Sequence, residues 1–213
     1  MNFDNPRFES SIEQLDNGIF FEVVGYHAGV DEVEDEEALV FGHGDVDGIN
    51  WSYQIRENAD GIACLKYAIE QLTSHRICED ELCKYAEDFA YFDWETGIST
   101  GDMLNILERY GLTSEYYEGT SLQELMEMLE EGKAICVVNS VLLESKGLFP
   151  YEGSSGDSYV QIIEIDVRDP LHQFVRLNVP FNNKGAGKAY DLETFSNAWK
   201  AGNKAVIFAG RRY

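Results

Sequence analysis

Residues Asp60 to Leu72, DGIACLKYAIEQL, decide how this chain is read. Ile62, Leu65, Ile69 and Leu72 recur at three- and four-residue intervals, which places them on one face of a helix and predicts a long buried one. Cys64 falls inside the same pattern, one helical turn beyond Asp60.

Downstream, the helical period continues before giving way to strands. A second helix is expected near Glu79 to Ala90 and a third from Thr100 to Tyr110, with Met103, Leu104, Ile106 and Leu107 as its apolar face and Gly111 as its stop. A fourth begins at Ser121, where Glu124 three residues on completes a capping box, and ends at Gly132. The short β-branched runs Ala134 to Asn139, Ser158 to Asp166, Gln173 to Asn178 and Lys204 to Ala209 read as strands, with one more helix at Asp191 to Lys200. Helices first and a mostly antiparallel sheet afterwards is an α+β order.

Upstream, residues 1–50 read as an N-terminal extension and 51–213 as the body. Gly18 to Tyr26, GIFFEVVGY, has strand composition, and the acidic run Asp31 to Glu37, DEVEDEE, suits a solvated loop or short helix. GHGDVDG at Gly42 to Gly48 imitates a calcium loop but fails, because Asp45 and Asp47 have no third carboxylate at the next alternate position and Arg56 stands where the closing Glu belongs. A turn is the expected use of those glycines.

The composition narrows the functional classes. With 44% hydrophobic residues among 213, the chain can bury a full core as one domain, while its oligomeric state stays open. Its 39 acidic against 16 basic residues give a net charge of -23, which argues against nucleic acid or an anionic membrane and favours a basic protein or peptide as partner. No window approaches the roughly 18 uninterrupted apolar residues of a membrane helix, and MNFDNPRFESS lacks the basic start and apolar core of a signal peptide. The expected compartment is the cytoplasm, which suits Cys64, Cys78, Cys83 and Cys136 as free, buried thiols; their spacing supplies no zinc site. No cofactor is expected.

The order of these strings resembles the double-glycine-leader, or bacteriocin-processing, peptidase family of papain-like cysteine peptidases, in its small standalone bacterial form. Gln54 stands six residues before Asp60, as the family's oxyanion-hole Gln stands before its nucleophilic Cys at the start of the central helix. YAEDFAYFDWETGIST (85–100) resembles the family's second helix and Gly-Thr turn, and MLNILERYGL (103–112) the helix behind it. SLQELMEMLEEGKAICVVN (121–139) resembles its helix leading into a strand, SYVQIIEID (158–166) the strand that begins with the catalytic His, and LNVP (177–180) the Asn-Asp-Pro turn. YDLETFSNAWKAGNKAVIFA (190–209) resembles the closing helix and strand, so the match spans about residues 51 to 209. The fold implied is α+β and papain-like, with an N-terminal helical half and a C-terminal, mostly antiparallel sheet.

Carried over position by position, the chemistry is lost. The triad positions read Asp60, Ser158 and Val179, whereas a papain-type mechanism needs a thiolate beside an imidazolium and a third group to orient the ring. Either Asp157 or Ser158 faces the cleft, and neither offers an imidazole; Gln54 and Asn178 are retained. Cys64 as a substitute nucleophile is disfavoured by its place inside the helix. His27, His43, His75 and His172 all lie away from the family's His, and reading Asp169 of RDP as the triad Asp leaves the strand hairpin too short. Asp60 at a helix start has the ordinary role of an N-cap; its functional role is, with Asp157, an acidic cleft for a Lys or Arg side chain. A divalent cation would find too few ligands there.

The resemblance and the altered centre together imply a non-catalytic pseudo-peptidase that binds a protein or peptide. The alternatives are a hydrolase with a rearranged site built on Asp60 and Asp157, or an acidic immunity- or inhibitor-type protein acting by charge.

Overall fold

The computed structural model describes residues 39–144 and 157–212. The expected strand at 18–26, the acidic run at 31–37 and His27 lie outside the described residues.

The helix expected at Asp60 forms as α2 (Asp60–Thr73), and its apolar side chains Ile62, Leu65, Tyr67 and Ile69 are buried. It stops because Ser74 adopts a left-handed conformation with φ 61° and returns its N–H to the Glu70 carbonyl. α3 (Glu79–Asp88) and α4 (Thr100–Arg109) pack against it. A two-stranded ladder of β2 (Phe92–Asp93) and β3 (Gly97–Ile98) lies between those two helices in the chain. α4 is capped by Ser99, which accepts from the Asp102 N–H, and α5 (Leu122–Glu131) starts with the complete Ser121–Glu124 capping box.

The second half is one seven-stranded sheet in which every pairing is antiparallel among the described residues. Its order is β4 (Leu112–Tyr117), β9 (Val206–Arg211), β5 (Lys133–Asn139), β6 (Asp157–Asp166), β7 (Phe174–Asn178) and β8 (Lys188–Asp191). The ten-residue β6 is the spine: β5 covers one edge from Asp157 to Ile162, β7 covers the other from Gln161 to Asp166, and β1 (Val40–Gly42) completes the first edge opposite Glu164 to Asp166.

Alternation along β6 sends its two faces into different cores. Tyr159 packs with α2, α3 and α4 in one cluster, while Val160 and Ile162 join α5 and α7 (Leu192–Ala201) in the other, around Phe195 and Trp199. α7 is capped by Asp191, whose side chain accepts from the Thr194 N–H. α6 (Ser140–Glu144) follows β5 directly.

The body starts earlier than residue 51. β1 pairs with β6, and the GHGDVDG segment forms a single-turn helix α1 (Gly44–Asp47) in place of a simple turn. Asp47, in the segment read as a turn, is buried in an ion pair with Lys133 of β5. Gly42 makes the approach work: its φ is 91°, and a Cβ there would strike the Ile163 carbonyl.

Candidate functional site

The site is assembled where the start of α2 meets the start of β6. Asp60 is the first residue of α2 rather than its N-cap; Ala59 holds the cap position with no side-chain cap bond. The carboxylate of Asp60 reaches sideways instead, and its Oδ2 accepts the main-chain N–H of Tyr159 at 2.6 Å. Burial pushes the Asp60 carboxyl above its ordinary range, opposed by the N–H groups of Tyr159, Gly61 and Asp60 itself. The helix start therefore carries a carboxyl clamped to a strand.

Tyr159 is the residue that sequence reasoning missed. Its ring lies against the helix start, where a Cβ on Gly61 would stand 3.1 Å from Tyr159 Cδ2, so the glycine makes room for the aromatic. Its hydroxyl lies 3.3 Å from Thr100 Oγ1 and 3.4 Å from the Ile98 carbonyl. Burial raises the phenol, and the nearby charges of Asp60 and Asp157 raise it further. The only sequence signal for this role was alternation from Gln161, which needs the packing of β6 on α2 to be known first.

The same alternation separates the positions carried over from the family pattern. Asp157 shares the Tyr159 and Gln161 face and is exposed, whereas Ser158 shares the face of Val160 and Ile162. Val179 is fully buried in the core on that second face. Asn178 is buried on the first face, donating to Gln161 Oε1 at 3.0 Å and to the Asp47 carbonyl at 3.1 Å. Asp60 and Asn178 thus serve framework bonds, and Ser158 and Val179 do not join them.

Gln54 sits on a segment laced to the end of β7. Its N–H donates to the Pro180 carbonyl at 3.0 Å, and Trp51 Nε1 donates to the Val179 carbonyl at 3.1 Å. Buried Glu79 holds the same segment by accepting from the Ile55 N–H at 2.9 Å and from Ser52 Oγ at 3.3 Å, and the Tyr67 hydroxyl donates to the Ser52 carbonyl. The side-chain Oε1 of Gln54 is buried without a hydrogen-bond partner. A recess of about 180 Å³ opens between Tyr53 and Glu57, and Arg56 on its rim pairs with Asp80 and covers the Trp94 ring at 4.1 Å. The rim is therefore of mixed charge rather than purely acidic.

Cys64 is fully buried, and burial first, then the Asp60 charge, pushes its thiol well above the ordinary range. Cys83 and Cys136 are also buried, but Cys78, expected inside, is exposed. His43, His75 and His172 are exposed, the last bound to Asp169 in the turn between β6 and β7 at 2.6 Å. No group of three or more His, Cys, Asp or Glu side chains gathers closely enough to hold a metal ion among the described residues.

No protein-family model matches the sequence, and no curated protein matches it. Solved structures do match in fold. A C39-like peptidase from Bacillus anthracis superposes with a TM-score of 0.57 at 15% identity, covering 81% of this chain and 98% of that one. A double glycine motif protease from an AMS/PCAT transporter, crystallised with its leader peptide, gives 0.52 at 12% identity over 76% of this chain and 91% of its own. A cysteine protease from Carica candamarcensis in complex with E-64 gives 0.52 at 10% identity, covering 82% and 99%. The α+β, papain-like fold is thereby established.

Proposed function

We propose that this chain, built on the papain-like fold of C39-type peptidase domains, is a non-catalytic pseudo-peptidase that binds a basic protein or peptide. The observation that carries the reading is the bond between Asp60 and Tyr159. At the helix start where a papain-type enzyme presents its thiolate, this chain presents a carboxylate already occupied by a main-chain N–H. Nucleophilic acyl transfer needs a free thiolate with a base to activate it, and neither Cys64 nor any described histidine is placed for that chemistry.

Two further features support binding. A structural neighbour was crystallised in complex with a leader peptide, so this fold accommodates a peptide partner. The net charge of -23 steers cationic partners by long-range attraction. No helix among the described residues is long and apolar enough to cross a membrane. The four unpaired cysteines suit a reducing compartment, and the fold likeness includes a peptidase from Bacillus anthracis; on those two grounds we assign the chain to the cytoplasm of a bacterium.

The test is recovery of partners from native lysate at two salt concentrations, by the natural chain and by Asp60→Lys. Loss of a partner with the variant, but not with high salt, is the expected outcome for cleft binding. A chain that hydrolyses peptides, with turnover abolished by Cys64→Ala, would overturn the proposal.

A further inference from the structure

Tyr159 stands between the candidate site and any ligand. Its side chain crosses from the start of β6 to the turn that joins β3 to α4, passing over the second residue of α2. Gly61 leaves room for it, since a Cβ there would lie 3.1 Å from Tyr159 Cδ2 and 3.3 Å from Cε2. The slot between the helix start and that turn is thus filled by one of the chain's own side chains.

Three observations separate this from ordinary core packing. Tyr67 of α2 is fully buried, with its hydroxyl on the Ser52 carbonyl, whereas Tyr159 is only half-buried. The Tyr159 hydroxyl is held loosely, 3.3 Å from Thr100 Oγ1 and 3.4 Å from the Ile98 carbonyl, both beyond the usual range of O–H···O bonds. Its backbone, in contrast, is held firmly: the N–H donates to Asp60 and the residue pairs with Val137 of β5. A strand side chain has two common χ1 rotamers, so the ring can leave the slot while the strand stays paired.

What the ring vacates is lined by acceptors. The Ile98 carbonyl and Thr100 hydroxyl stand on one side and the Asp60 carboxylate on the other, with exposed Asp157 two residues away on the same face of β6. The charges of Asp60 and Asp157 both act on the phenol, so both carboxylates lie near the slot. Neither forms an ion pair with Lys or Arg among the described residues. A cation on an alkyl stem matches such a lining.

We infer that Tyr159 is an autoinhibitory plug: a Lys or Arg side chain of the bound basic peptide enters the slot at the helix start only when the Tyr159 ring swings out. The inference rests on the peptide-binding reading above. A plug lowers the apparent affinity in proportion to the fraction of molecules in which the slot is open, and removing it restores that loss.

The probes are acetyl-Gly-Arg-Gly-amide, its neutral citrulline counterpart and 4-methylphenol, the free form of the tyrosine side chain. Each is titrated into the full natural chain, Tyr159→Phe and Tyr159→Ala, and followed by amide NMR at Gly61, Ile98 and Thr100. The arginine peptide should bind Tyr159→Ala about tenfold more tightly than the natural chain, and Tyr159→Phe a few-fold more tightly, with the citrulline peptide weaker throughout. 4-Methylphenol should bind Tyr159→Ala alone and compete with the arginine peptide there. Asp60→Asn on the Tyr159→Ala background should remove most of the gain. Equal affinity of the natural chain and both variants for the arginine peptide overturns the plug and leaves peptide binding standing. Capture of 4-methylphenol by Tyr159→Ala, with every chain silent to the arginine peptide, upholds the slot but overturns the peptide reading and its cationic occupant. Should Tyr159→Ala unfold, Tyr159→Phe decides alone, and an affinity equal to that of the natural chain overturns the plug.

Discussion

The carboxylate of Asp60 accepts the main-chain N–H of Tyr159, and this one bond ties the first residue of the central helix to the first turn of side chains on the longest strand. The helical half and the sheet meet at that point, and the Asp60 carboxyl serves as a structural group there. Asp60→Ala leaves the Tyr159 N–H unsatisfied and should cost about 1–3 kcal/mol, whereas Asp60→Asn retains an acceptor and should cost less. Chemical denaturation of both variants checks the difference.

The same carboxyl gives a pH dependence of defined sign. Burial raises its folded pKa above the ordinary 3.8, so the folded state holds the proton more tightly than the unfolded state does. Its contribution is full below about 3.8 and is lost as pH rises through the higher folded value. The stability difference between the natural chain and Asp60→Asn should therefore shift against the natural chain over that interval and flatten above it. A difference that moves the other way would contradict the burial of Asp60.

Thiol accessibility separates the four cysteines. Cys64 and Cys136 are fully buried with their thiols pushed well up, and burial carries Cys83 up to about 12. Cys78 is exposed at the start of α3. Iodoacetamide at neutral pH should modify Cys78 alone in the native protein, with the other three reacting only in denaturant. Native labelling of Cys64, read by peptide mass, would reopen a thiol mechanism.

The buried Asp47–Lys133 pair should behave as a strongly coupled unit. Lys133→Met strands a carboxylate in the interior and should cost about 3–5 kcal/mol, while adding Asp47→Leu should recover much of that loss. A double-mutant cycle measures the coupling. The pair also anchors α1 to β5, so the single variant should loosen residues 40–50 in hydrogen exchange.

What the sequence disclosed and what it hid divide along physical lines. α4, α5 and α7 were legible because an apolar stripe at helical period coincides with the caps Ser99, Ser121 and Asp191, and α2 was legible from its apolar stripe alone. The central strands β5, β6 and β7 were legible from dense β-branched runs. β4 and β8 were missed, and both are sheet edges: LTSEYY is exposed over its last three residues and KAYD is short and half charged, the composition by which edges avoid further pairing. Asp47 was read as part of a turn because its partner Lys133 is remote in sequence, and burial of a charge by pairing leaves no local pattern. The retained positions at the candidate site were visible as residues, but the split of Asp157 from Ser158 across β6 required the packing of α2 against Tyr159 and Gln161.

Thr120 offers a further stability test. Valine preserves its shape and removes a buried hydroxyl that has no partner, so Thr120→Val should leave stability unchanged or raise it by up to about 1–2 kcal/mol in thermal or urea melts. A threonine whose hydroxyl is bonded within the fold would behave in the opposite way, since replacing it would then cost stability.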